Sequence, residues 1–232
     1  MHIRAVLFDL DGTLLDRQTC VRNCVADQFE RFAGQLTGAD FVELFLKLDQ
    51  RGYVEKPVVY EAMGRELGFS TGMSRPLTED YFAAYARFAV GFASLVETLS
   101  ELRNRDLRLA IVSNGRAAPQ SPVIQTLGIG DFFHSIVISK VEGLAKPDSR
   151  IFELALDRLG VTSTNAVFVG NHPREDIQGA QQAGLRAIWK RDDFFGPCLC
   201  ADGVIDELRE LPGVLDELLT ALPRPAPSPF PR

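Results

Sequence analysis

The apolar runs of this chain are short, and each one stops at a polar or glycine-bearing turn. Residues 3–8 (Ile3, Arg4, Ala5, Val6, Leu7, Phe8) form a partly β-branched run that ends at Asp9 and the turn-former Gly12. Residues 107–112 alternate through Leu107, Leu109 and Ile111 and stop at Ser113-Asn114-Gly115. Similar runs occupy 135–139, 166–169 (stopped by Gly170) and 185–189, and 203–205 adds a short edge. Helical periods lie between them. Residues 94–103 carry Leu95, Leu99 and Leu102 on one face; 149–159 carry Ile151, Phe152, Ala155, Leu156 and Leu159 ahead of Gly160; 175–183 end at Gly184. From residue 95 onward strand and helix alternate, which predicts an α/β fold: a parallel sheet with helices on both faces.

Residues 16–91 break that rhythm and contain no convincing strand. Val21, Val25, Phe29 and Phe32 form one helical stripe, and Phe41, Leu44, Phe45 and Leu48 a second. Val59, Ala62 and Met63 begin a third behind Pro57, a residue suited to a first helical turn. Tyr81, Phe82, Tyr85, Phe88, Ala89 and Phe92 form a fourth. Stripes of this spacing are packing faces of a small bundle rather than a ligand box. The expected organisation is therefore a core of residues 1–15 and 92–222, interrupted by a helical unit of 16–91. A tail of 223–232 follows, where Pro223, Pro225, Pro227, Pro229 and Pro231 forbid helix and central strand and imply an extended, disordered segment.

The 232 residues carry a net charge of −6, which argues against a nucleic-acid partner, since a phosphate backbone rewards a basic face. No apolar run approaches the roughly 18 residues a membrane span needs. Asp9 and Asp11 interrupt the N-terminal apolar stretch, so no signal peptide is expected and the default location is cytoplasmic. Cys20, Cys24, Cys198 and Cys200 are expected to be reduced thiols in or near a core; their spacing is a poor match to a structural zinc site.

Four chemistry-bearing segments stand at the C-terminal ends of predicted strands, the edge where open α/β sheets bind ligands. Asp9-Leu10-Asp11-Gly12-Thr13 places two carboxylates where both reach one cation; magnesium prefers such oxygen ligands and takes one or two carboxylates with substrate phosphate and water. A carboxylate nucleophile at Asp9 suits phosphoryl chemistry because an acyl phosphate is itself labile, and Asp11 is placed to protonate a leaving oxygen. Ser113 with the turn amides of Asn114 and Gly115, and the ammonium of Lys146, are suited to holding phosphoryl oxygens. The segment 170–176 adds Asn171, Glu175 and Asp176 as oxygen donors that complete a metal shell. Each segment alone is a weak signal, and a D-x-D pair also serves merely to cap a loop.

In order, the four segments resemble the signature of the haloacid dehalogenase (HAD) superfamily. Phe8-Asp9-Leu10-Asp11-Gly12-Thr13-Leu14-Leu15-Asp16 is similar to its first motif almost letter for letter, and Ser113, Lys146 and 170–176 are similar to the other three. The resemblance covers residues 3–218. It implies a Rossmann-like sheet of order 5-4-1-2-3 with an inserted α-helical cap of the C1 type. It also implies Asp9 as nucleophile, Asp11 as acid/base residue and Ser113 with Lys146 on the phosphoryl group. Mg2+ would be bound by the Asp9 side chain, the Asp11 carbonyl and a residue of the fourth motif. That motif often has Asp directly after its glycine; here Asn171 stands there, and Asp176 or Glu175 is the expected compensation.

Asp11 also discriminates within the superfamily, because members acting on carbon–halogen bonds do not have Asp at that place. The expected activity is hydrolysis of a small phosphorylated metabolite such as a sugar phosphate, phosphoglycolate or nucleotide. The alternatives are a phosphomutase resembling β-phosphoglucomutase and a non-catalytic binding protein. Arg17, Arg51 and Tyr53 are placed among ordinary surface or packing residues, although each lies where a leaving group could pass. Arg116 and His172 flank the second and fourth motifs, and His172 is expected to be a polar loop residue.

Overall fold

Ala5–Phe8 forms β1 at the centre of the sheet, and the chain leaves it directly into helices. The computed structural model describes residues 2–36, 38, 40–115 and 120–220. After β1 come α1 (Arg17–Arg31), α2 (Phe41–Asp49), α3 (Lys56–Leu67) and α4 (Ser74–Ala84). The α/β part resumes with α5 (Leu95–Asn104), β2 (Arg108–Ser113), α6 (Gln120–Thr126), β3 (Ser135–Ile138), α7 (Ser139–Glu142) and α8 (Ser149–Leu159). It closes with β4 (Ala166–Gly170), α9 (Gly179–Gln182), β5 (Arg186–Lys190), β6 (Gly203–Ile205) and α10 (Leu211–Thr220). The six strands are all parallel and run in the order β3-β2-β1-β4-β5-β6. This is the expected five-strand order with β6 added beside β5.

The sheet alternates as buried parallel strands should. Val6, Phe8, Leu109, Ile111, Val167 and Val169 face one apolar cluster, while Ala5, Leu7, Ala110, Val112 and Phe168 face another with Ile151, Phe152 and Ala155 of α8. The first cluster continues through Leu10, Leu14 and Leu15 into the helices α1–α4. Their centre is aromatic: Phe45 lies 5.3 Å from Tyr60 and 5.6 Å from Tyr81, ring to ring. Truncating a fully buried ring leaves a cavity, so Phe45→Ala is expected to cost about 3–5 kcal/mol, read as a fall in the denaturant midpoint.

Two short segments connect the helical unit to the sheet, and they run side by side. Asp16 N donates to Val90 O at 2.9 Å, and Phe92 N donates to Leu14 O at 3.0 Å. This pairing corrects the fourth predicted stripe. Helix α4 ends at Ala84, a tight turn spans Tyr85–Phe88, and the chain is then extended. The extended stretch satisfies its backbone on the other connection rather than within a helix. The predicted helix over 175–183 is likewise divided, into a wide turn, Pro173–Gln178, and α9.

Cys20 and Cys24 pack in the first apolar cluster and Cys198 in the second. Among the described residues no group of three or more His, Cys, Asp or Glu is arranged to hold a metal ion. No described helix is long and apolar enough to cross a membrane. The proline-rich segment 223–232 and Arg116 lie outside the described residues.

Candidate active site

After β1 the chain crosses to β2 and β3 on one side and returns to β4, β5 and β6 on the other, so the crevice beside β1 opens at a topological switch point. Because every strand is parallel, the residues at and after the ends of β1, β2, β3 and β4 arrive at one edge. Asp9, Asp11, Ser113, Asn114, Gly115, Lys146, Asn171 and Asp176 all line a single cleft there. Glu175, the remaining sequence candidate for the metal shell, lines the same cleft.

Lys146 is the electrostatic centre. Its Nζ lies 2.7 Å from Asp9 Oδ1 and 2.7 Å from Asp176 Oδ1, and all three side chains are buried. Burial works against the lysine charge, but Asp176 and Asp9 outweigh it and hold its pKa above the ordinary range. Asp9 goes the other way: burial, with Asp176 adding to it against the pull of Lys146, pushes its carboxyl up to about 6. The second Asp9 oxygen accepts from Thr13 Oγ1 at 3.1 Å, which leaves the carboxylate held at both ends. Burial also raises Asp11, against Arg17; Gln120 Nε2 donates to Asp11 Oδ2 at 2.8 Å.

The side chain of Asn114 is a brace. It accepts from Lys146 N at 2.8 Å and donates to Lys146 O at 3.1 Å and to Glu175 Oε2 at 2.7 Å. Those bonds place the backbone that carries Lys146. Glu175, one of the sequence candidates for the cation shell, is thereby engaged at Asn114. Asp176 Oδ2 accepts from His172 N at 2.8 Å, and Gly170 is required beneath it: a Cβ there would lie 2.5 Å from Asp176 Cγ. His172 caps the turn that follows, its Nδ1 accepting from Arg174 N and Glu175 N, and also lines the cleft. Asn171 packs against Gly12, whose φ is +86°, and donates from Nδ2 to Asp192 Oδ2 at 3.1 Å. Its nitrogen is thus committed, and the amide oxygen is the atom suited to a cation.

The donors decide whether the cleft suits a metal. Asp9, Asp11, Asp176 and Asn171 present oxygen as ligating atoms in the cleft, where Lys146 is paired with Asp9 and Asp176. An all-oxygen, acid-rich set suits a hard divalent cation that takes few protein carboxylates and keeps positions for phosphate and water. The residues present fit Mg2+.

Residues outside the four motifs also line the cleft, among them the three that the sequence places where a leaving group could pass. Arg17 was placed on the surface or in packing by sequence, yet it is 4% exposed and lines the cleft. Arg51 and Tyr53 also reach the cleft from the helical unit, and Asp192 and Phe195 from the loop after β5. No periodicity marks them, because they come from turns whose positions depend on packing.

A family model described as haloacid dehalogenase-like hydrolase matches residues 3–184. The chain belongs to the haloacid dehalogenase-like hydrolase family. Among curated relatives, a glyceraldehyde 3-phosphate phosphatase of Methanopyrus kandleri is 34% identical over 197 residues, covering 80% of this chain and 83% of its own. A phosphoserine phosphatase of Thermus thermophilus is 34% identical over 138 residues, spanning 60% of this chain and 55% of its own length. The solved structure of the HAD-hydrolase YfnB from Bacillus subtilis, bound to magnesium, shares the fold. Its TM-score is 0.74 at 23% identity, covering 93% of this chain and 100% of its own. Such relatives fit a HAD-like phosphoric monoester hydrolase.

Proposed function

We propose that this HAD-like chain is a Mg2+-dependent phosphatase that hydrolyses a small phosphorylated metabolite through an aspartyl-phosphate on Asp9. The observation that carries this reading is the Asp9 carboxylate itself, buried at the base of the cleft between Lys146 Nζ and Thr13 Oγ1, with Asp11 two residues on. Its roles follow from ordinary chemistry. An Asp9 oxygen attacks phosphorus, the bond from phosphorus to the leaving oxygen breaks, and Asp11 gives that oxygen a proton. Burial raises the Asp11 carboxyl, which favours the protonated form such an acid needs. Water then attacks phosphorus, Asp11 takes its proton, and inorganic phosphate leaves Asp9. Ser113, the amides of the Asn114-Gly115 turn and Lys146 hold the phosphoryl oxygens.

Asp9, Asp176, the Asn171 amide oxygen and the Asp11 carbonyl are the groups that would hold Mg2+. The chemistry a bound Mg2+ supplies is screening of these carboxylates from the phosphoryl charge. Residues 16–91 are proposed as the cap that covers the cleft, since they bring Arg17, Arg51 and Tyr53 to it.

Turnover of a generic aryl phosphate with Mg2+ tests the activity, and conversion of glucose-phosphate isomers with little phosphate release would point to a mutase instead. The metal assignment has its own test. Asn171→Asp adds a carboxylate to the shell but sets it against Asp192, which the native amide binds. The expected result is a lower melting temperature without metal, a larger Mg2+-induced rise than in the native protein, and half-maximal activity at severalfold less Mg2+.

A further inference from the structure

The names of the relatives do not determine the leaving group: phosphoserine carries a carboxylate on its organic portion and glyceraldehyde 3-phosphate does not. The structure of this chain is more informative. Arg17 is 4% exposed and lines the cleft beside Asp11, yet neither Nη1 nor Nη2 makes a hydrogen bond. Its ion-pair partner, Asp49, stands 2.9 Å from Nη1 and is shared with Lys56. All three groups are buried, and Asp49 is shared between two cations, with Asp11 the other carboxylate that acts on the guanidinium.

Other buried polar atoms near Arg17 are also without hydrogen-bond partners: the hydroxyls of Tyr81 and Tyr85, and Asp49 Oδ2, which meets Nη1 only as an ion pair. The guanidinium acts electrostatically on Asp49, Tyr85, Tyr81 and Asp11, and the two phenol rings are 5.4 Å apart. Burial alone does not leave a phenol this way, because the equally buried Tyr60 hydroxyl donates to Gln28 Oε1 at 2.6 Å. Buried donors are ordinarily satisfied, so unmet ones gathered at a guanidinium that lines the cleft mark a place for a polar ligand.

We propose that Arg17, with the hydroxyls of Tyr81 and Tyr85, receives an anionic group on the leaving portion of the substrate, which is therefore a phosphate monoester bearing a second acidic group. This rests on the phosphatase reading above, in which Asp11 protonates the leaving oxygen; Arg17 stands next to Asp11 and so on the leaving-group side. A guanidinium fork matches the paired oxygens of a carboxylate or a phosphate, and two phenol O–H donors extend it. A neutral leaving group leaves these donors unmet.

The test is kcat/KM for matched pairs with Mg2+. 3-Phosphoglycerate and glycerol 3-phosphate differ by a carboxylate against a hydroxymethyl group. Propane-1,3-diol bisphosphate and its monophosphate differ by a second phosphate, and 4-nitrophenyl phosphate is the reference. The native protein is expected to prefer the acidic member of at least one pair by about tenfold or more; which pair shows it separates carboxylate from phosphate. Arg17→Gln is expected to bring that ratio close to one, Arg17→Lys to restore part of it, and Tyr85→Phe to lower it severalfold. Since Arg17 is also ion-paired, Tyr85→Phe, which deletes one hydroxyl, decides the matter if Arg17→Gln does not fold. Hydrolysis of 4-nitrophenyl phosphate with both ratios near one overturns the inference and leaves the phosphatase reading standing. A native preference that neither Arg17→Gln nor Tyr85→Phe changes also overturns it. No turnover of any substrate overturns the phosphatase reading itself.

Discussion

Asp9→Asn is expected to lower turnover of an aryl phosphate by roughly 10^4- to 10^6-fold, the range seen when a nucleophile that acts with its partners is removed. The amide keeps the shape of the carboxylate and an acceptor for Thr13 Oγ1, but it is a far poorer nucleophile. Lys146 retains Asp176 at 2.7 Å, so the base of the cleft stays paired. The variant should therefore melt within a few degrees of the native protein while its phosphate release is lost. Native-like turnover by Asp9→Asn would remove the aspartyl-phosphate from the mechanism. Equal, negligible turnover by both proteins would favour a binding protein over an enzyme.

Lys146→Met is expected to be nearly as damaging to turnover and, unlike Asp9→Asn, damaging to the fold. The lysine is the shared counter-charge of two buried carboxylates, and removing it strands them at a cost of about 3–5 kcal/mol. The loss has a definite pH dependence in chelator-treated protein. Asp9 already titrates at about 6 against an ordinary 3.8 because burial outweighs the pull of Lys146; without the lysine it must rise further. A carboxyl whose folded pKa is raised binds its proton more tightly in the folded state. Stability is therefore greatest below the unfolded value and is lost as pH climbs through the folded one. The melting-temperature deficit of Lys146→Met relative to native should thus be smallest at acidic pH and widen toward neutrality. A deficit independent of pH would mean that Lys146 contributes packing against Phe168, over which it sits, rather than charge.

The local order of this chain determined a good deal by itself. Runs such as Val6–Phe8 and Leu109–Val112 are apolar and β-branched and end at Asp9 and at Ser113-Asn114. Local chemistry thus set both the strands and the residues at their tips, and a parallel sheet brings those tips to one edge. That is why Asp9, Ser113, Lys146 and Asp176 were legible as one site without coordinates. The packing decided the rest. Whether Tyr85–Phe92 continues a helix was not set by its stripe, because the backbone of Val90 and Phe92 found partners on Asp16 and Leu14, more than seventy residues away. The roles of Asn114 and Glu175 as a brace for Lys146 likewise depend on bonds across 32 and 61 residues. Arg17 is the clearest case. Its position beside the first motif puts it where a leaving group could pass, but its neighbours do not mark it as buried. It becomes a buried charge beside Asp11 only when α2 brings Asp49, α3 brings Lys56, and Tyr81 and Tyr85 close around it. Burial and charge balance are properties of the assembled interior, and they exist only once distant segments have displaced water from the same place.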